Sequence, residues 1–186
     1  MKKYLAVILS VALTTLAFVG CGSKSTSADD ADVKSEGVMT YAEYAAAELD
    51  SQVVVETYVQ AKQSWWEDQA TVYTQDKDGA YFLYNMACSQ EDYDKLTKGT
   101  KIKVTGYKSE WSGEVEITDA TFEIEDGNYV AEAQDLTDLL GSDDLIKHQN
   151  EFVAFKGLTV EDAGNGSAFM YRWDLRLLHT LRRAIL

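Results

Sequence analysis

Few side chains in this 186-residue sequence could make or break bonds, and those few are scattered. Cys21 and Cys88 are the only thiols, and His148 and His179 the only imidazoles. Their spacing matches no zinc site, and no serine–histidine–acid or cysteine–histidine grouping lies close in the chain. Asp76-Lys77-Asp78-Gly79 is not a calcium loop of the EF-hand kind, because its glycine comes too early and the distal glutamate is missing. A carboxylate pair such as Glu67 and Glu114 could carry acid–base work, which makes a carboxylate-dependent hydrolase one alternative. With 31 acidic residues such pairs arise by chance. The expectation is therefore a non-enzyme with no catalytic residue, metal or cofactor. Flat rings are the better candidates: Trp65, Trp66 and Trp111, with Tyr73, Tyr81 and Tyr84 between them, offer apolar area for stacking.

Cys21 is set apart by what precedes it. Lys2 and Lys3 give a positive start, Tyr4 to Phe18 is an apolar run, and Leu16-Ala17-Phe18-Val19-Gly20-Cys21 ends with a small residue before the thiol. The run is shorter than the ~20 apolar residues of a membrane span, and an ordinary secretory signal cleaved nearby is the competing reading. The segment resembles a bacterial lipobox, although Phe18 is bulkier than the usual residue there. That resemblance implies a signal peptide over 1–20, a diacylglyceryl group on Cys21, and a lipid-anchored protein on the extracytoplasmic face of a bacterial cell membrane. Each buried CH₂ contributes ~0.8 kcal/mol, and one acyl chain alone anchors only marginally, so two chains matter. Residues 21–37, rich in Ser, Ala, Asp and Lys without apolar periodicity, read as a flexible tether.

Removal of the signal leaves about 165 residues, enough for one ordinary domain or two small ones. Seventeen basic residues against 31 acidic give a formal net charge of −14. Such a surface repels phosphate backbones and anionic lipid headgroups alike. With Cys21 lipidated, Cys88 has no partner for an intrachain disulfide and reads as a small packing residue.

The elements that must hold the rings follow from the pattern. Thr40 and Glu43 form a capping box before a short helix over Tyr41–Leu49. Gln52–Ala61 alternates, with Val53, Val55, Val59 and Ala61 on one face and Glu56 and Gln60 on the other. A short strand over Ala70–Gln75, a turn ending in Asp78-Gly79 and a third strand over Ala80–Met86 come next. Ser89–Thr97 reads as a short capped helix stopped by Gly99. Two strands follow, over Lys101–Tyr107 and Glu114–Glu125. The second shifts its apolar parity from Val115 and Ile117 to Ala120, Phe122 and Ile124, which predicts a bulge near Thr118-Asp119.

Three strands, a helix and two strands in this order make a mainly β domain over 38–128, a five-stranded barrel. With Leu96-x-x-Gly99-x-x-Ile102-x-Val104-x-Gly106 entering the fourth strand, the stretch resembles the OB-fold (oligonucleotide/oligosaccharide-binding) modules of extracytoplasmic lipoproteins. OB-folds bind ligands on the face of strands two and three, flanked by the loops between strands one and two and between strands four and five. The resemblance implies that Trp65 and Trp66 stand in the first loop and Trp111 in the second. Their acidic neighbours favour a glycan, peptide or protein partner and disfavour nucleic acid. Lys101, Lys103 and Lys108 beside Tyr107 are the one hint of a single-stranded nucleic-acid site. The competing reading makes the tryptophans plugs of the barrel ends.

A shift of 98 residues aligns Val55 with Val153, Ala70 with Ala168, Tyr73 with Tyr171 and Asp76 with Asp174. With a helical segment over Leu136–His148 and a strand over Phe152–Val160, residues 129–174 read as an incomplete second OB-like unit. Residues 175–186 form an atypical basic tail: all four arginines lie at or after Arg172, and no acid follows Asp174. This tail reads as out of frame or truncated, and a lipid-touching amphipathic helix is the alternative. Residues beyond about Gly127 are expected to be less stable than the first barrel.

Overall fold

The computed structural model describes residues 34–162, 164, 168–172 and 175–179. Cys21, most of the expected tether and residues 180–186 lie outside the described residues. Among the described residues no helix is long and apolar enough to cross a membrane.

Five strands close a barrel. They are β1 (Gln52–Lys62), β2 (Gln69–Gln75), β3 (Ala80–Ala87), β4 (Thr100–Trp111) and β5 (Glu114–Asn128), in the order β1-β2-β3-β5-β4 with β4 returning to β1. All pairs are antiparallel except β3 with β5, which run parallel with Leu83 opposite Ile117. This order, with helix α2 (Gln90–Lys95) between β3 and β4, is compatible with an OB-like fold. The chain is mainly β, with few short helices.

Alternation explains the interior. Val53, Val55, Val59, Val72, Leu83, Ile102, Val104 and Ile117 point inward and are all but sealed from solvent. The parity shift in β5 is a bulge: Thr105 opposes Thr121 while Tyr107 opposes Thr118, so β5 carries one extra residue, and Asp119 takes φ +48°. Gly106 faces this bulge. A Cβ there would sit 2.6 Å from Ile117 Cγ2 and 2.8 Å from the Thr118 carbonyl, so the strands approach this closely only because it is glycine.

Both barrel mouths are capped. Helix α1 (Tyr41–Ala46) carries the expected capping box, and its Tyr41 and Tyr44 rings pack on Tyr81. It stops three residues short of the predicted Leu49. The Lys108 ammonium donates to the carbonyls of Tyr44, Ala45 and Ala47, satisfying the end of the helix from inside the barrel. At the other mouth α2 begins on Ser89 and delivers Leu96 to the core.

Residues flanking the barrel cover outer faces that alternation would leave wet. Glu56 and Gln60 point outward yet are only 2% and 8% exposed. Lys34 donates to the Glu56 carbonyl, and the Glu56 carboxylate pairs with Lys101 at 2.9 Å. Gln60 bridges the Tyr129 carbonyl and the Ala131 N–H. Farther on, the Val115 N–H donates to Gln149 Oε1, Asn150 Nδ2 donates to the Val115 carbonyl, and the Phe152 N–H donates to Gln75 Oε1. These bonds fasten residues 149–152 to the start of β5 and the end of β2.

In the residues after β5 two expectations need correction. The helical segment expected over Leu136–His148 is two 3₁₀ turns, Thr137–Leu139 and Asp143–His148, with Gly141 at φ +81° between them. The strand expected over Phe152–Val160 is broken into β7 (Val153–Ala154), parallel to β6 (Gln134–Asp135), and β8 (Thr159–Asp162), with Gly157 at φ +69° separating the pieces. β8 pairs antiparallel with β9 (Ala168–Arg172), and β9 with β10 (Leu175–His179). The first five residues of the expected tail thus continue the meander as a strand.

Candidate functional site

Each flanking loop ends in a tight two-residue turn with an exposed indole at its first position. In the β1–β2 loop, the Trp66 N–H donates to the Gln69 carbonyl and the Gln69 N–H donates back to Trp66. The central residues Glu67 and Asp68 have φ of +48° and +59°, as a type I′ hairpin turn requires. Neither is glycine, so the turn is strained. It is gripped by Cys88, the residue after β3, whose N–H donates to the Asp68 carbonyl at 2.9 Å. The β4–β5 hairpin repeats the design: Trp111 and Glu114 pair across Ser112 and Gly113, whose φ are +52° and +88°.

The six ring candidates separate into different roles. Trp66 and Trp111 are 70% and 73% exposed. Trp65 is half-buried, and its indole N–H donates to the Cys88 carbonyl at 2.9 Å, so it fastens the loop to β3. Tyr81 points into the barrel, is fully buried and donates to Asp76 Oδ2 at 3.0 Å. Burial and the Asp76 charge raise its pKa far above the phenol range. The reading of Tyr81 as a ligand contact is corrected: its ring belongs to the core, because alternation turns its neighbour Phe82 outward.

Phe82 is the residue the sequence reading missed. It pairs across the sheet with Tyr73, their ring centroids 4.8 Å apart, and the Tyr84 ring follows at 6.1 Å. These three rings form a row on the outer face of β2 and β3, in which Phe82 is 5% exposed, Tyr73 is half-buried and Tyr84 is 42% exposed. Gln63 Nε2 donates to the Tyr73 hydroxyl and ties the row to the β1–β2 loop. Neither β2 nor β3 contains a charged residue. The face is neutral and aromatic, and acids stand only at its ends. β2 is seven residues long, and at 3.3 Å per residue Trp66 and Trp111 mark ends about 20 Å apart. The proposed tryptophan set is therefore not one cluster.

The reactive alternatives fare differently. Glu67 and Glu114 stand at these same two ends, so that pair does not share a bound atom. Burial raises the Glu114 carboxyl above its ordinary pKa, and burial plus the Glu114 charge does the same for Glu116. Burial pushes the Cys88 thiol up to about 11, which keeps it protonated at neutral pH. Among the described residues no group of metal-ligating side chains is assembled. Of the lysines that hinted at nucleic acid, Lys101 is held by Glu56 and Glu125 and Lys108 by helix carbonyls. A depression of about 420 Å³ lies between α2 and β5, with Phe122 and Ile124 on one wall and the paired Asp92 and Lys95 on the other.

The geometry defines a closed five-stranded β-barrel bearing a neutral aromatic face. Compared with known proteins, the chain matches no family model and no curated sequence.

Proposed function

We propose that this protein is a lipid-anchored, extracytoplasmic binding module that works without catalysis through the outer face of β2 and β3. The exposed Tyr84 ring and the half-buried Tyr73 ring, backed by the buried Phe82, with Trp66 exposed in the β1–β2 loop, carry this reading. Stacked rings on a surface lacking charge accept the apolar faces of sugars or of peptide side chains. A polyanion is disfavoured by the net charge of −14. The ligand classes that fit are a glycan, a peptide or a protein surface, neutral or cationic in character. The lipobox-like run before Cys21 supports the anchored, exported setting.

Intrinsic fluorescence tests the face. Purified protein is titrated with neutral oligosaccharides, a basic peptide and single-stranded DNA. A saturable change with one of the first two, lost in Trp66→Ala and Tyr84→Ala at unchanged melting temperature, is the expected outcome. Saturable, salt-sensitive binding of the DNA would replace this reading with the nucleic-acid one. Mass spectrometry of the exported protein tests the anchor, with a diacylglyceryl group on Cys21 expected.

A further inference from the structure

The end of the barrel opposite Trp66 carries a second exposed apolar set. Tyr107 and Trp111 lie four residues apart on β4, 43% and 73% exposed. Leu49, 51% exposed, is brought beside them because the Asp50 N–H donates to the Lys108 carbonyl and the Lys108 N–H donates to Ser51. Ile146, 63% exposed, lies three residues before Gln149, whose side-chain amide donates to the Gly113 carbonyl at the hairpin tip. None of these residues belongs to the β2–β3 face.

The N-terminal segment reaches the barrel at this same end. Lys34 is fixed to Asp76 in the β2–β3 turn at 2.7 Å. The parallel pairing of β3 with β5 puts that turn and the β4–β5 hairpin at one end. Gln149 and Phe152, three residues apart, bridge Val115 and Gln75 there. From Cys21 to Lys34 the chain spans at most about 45 Å when fully extended. That reach exceeds the length of the barrel, so an acylated Cys21 brings the whole domain near the bilayer, and its attachment through Lys34 and Asp76 enters at this end.

We propose that the β4–β5 hairpin end is a lipid-facing surface, with Trp111 seated at headgroup depth and Tyr107 and Leu49 beside it. This rests on the lipid-anchored reading above. Trp and Tyr favour the membrane–water interface, where one edge of the ring is apolar and the other wet. A short link to an anchor raises the effective concentration of the surface at the bilayer, so a contact too weak to recruit a free protein still forms. Glu48, Asp50, Glu110 and Glu114 lie in the same segments. The contact is therefore apolar and shallow, and anionic headgroups weaken it. The orientation leaves Trp66 at the end away from the membrane, with the Tyr73–Phe82–Tyr84 row running along the side of the barrel from the β2–β3 turn toward it.

The test uses full-length acylated protein in phosphatidylcholine vesicles with brominated acyl chains. Flotation on a sucrose gradient reports anchoring, and bromine quenching of indole emission reports depth. Flotation with quenching that is lost in Trp111→Phe and retained in Trp66→Phe supports the proposal. Flotation with no quenching, or with quenching indifferent to Trp111→Phe, overturns the lipid-facing surface and leaves the anchor standing. Absence of flotation overturns both. Shielding of Trp111 from iodide that grows with protein concentration in the absence of vesicles would assign the surface to a second copy of the chain and overturn the proposal.

Discussion

The Lys34 ammonium and the Asp76 carboxylate meet at 2.7 Å, with side chains 8% and 0% exposed, and join a residue outside the barrel to the turn between β2 and β3. Asp76 is fully engaged: its Oδ1 accepts from the N–H groups of Asp78 and Gly79, and its Oδ2 from Tyr81 and Lys34. Lys34→Met removes the cation paired with this carboxylate and leaves its charge buried. Loss of one partner of a buried pair costs about 3–5 kcal/mol. Urea denaturation is expected to show a loss near the lower bound, since three neutral donors remain. A change below about 0.5 kcal/mol would mean that the Lys34–Asp76 pair adds nothing to the barrel.

Trp65 and Trp66 are neighbours with opposite duties. Trp65→Ala removes the hydrogen bond to Cys88 and the packing of a half-buried ring, and is expected to cost about 2–3 kcal/mol. Trp66→Ala trims a ring that is 70% exposed and should stay within about 0.5 kcal/mol. Thermal melts of the two variants side by side check the contrast. Equal losses would restore the view of both indoles as plugs.

Among the described residues no cation pairs with the buried Glu116 carboxylate, and burial, then the nearby Glu114 charge, raise its pKa. A raised folded-state pKa means stability that is complete at low pH and falls as the group ionises. Glu116→Gln removes that loss. The variant is expected to be more stable than the wild type at pH 7, with the advantage fading below the ordinary glutamate value of 4.5. Urea midpoints at pH 7 and pH 4 give the comparison. A variant less stable at pH 7 would point to a favourable partner for the carboxylate.

The segment after β5 docks on the barrel as far as Phe152. The first protease-resistant fragment is therefore expected to end beyond Phe152, not near residue 128. Mass spectrometry of the digest decides between these ends. Gln149→Ala removes two hydrogen bonds to the β4–β5 hairpin and should cost about 1–2 kcal/mol.

What the sequence disclosed and what it hid divide along physical lines. The strands were legible because Val53, Val55 and Val59 repeat every second residue, and the bulge because the apolar parity of β5 flips at Asp119. Short-range chemistry was legible too, as in the Thr40–Glu43 box. Tyr81 and Phe82 could not be assigned to faces, because both sides of β3 are apolar and only the register with Tyr73 separates them. The burial of Glu56 and Gln60 depends on residues 34 and 129–131, distant in the chain. Lys108 reads as a surface cation until the carbonyls at the end of α1 are seen around it. The breaks at Gly141 and Gly157 were hidden because apolar residues resume past each glycine, Leu145 after Leu140 and Leu158 after Phe155.

Because β2 pairs with β1 on one side and with β3 on the other, it offers a visitor no vacant row of amide hydrogens or carbonyls. A peptide cannot be read there through its backbone, as it is on an open sheet. Discrimination must come from the outline of the guest and the rhythm of its flat surfaces, so this face is suited to sorting polymers by repeat and thickness more than by the order of their units.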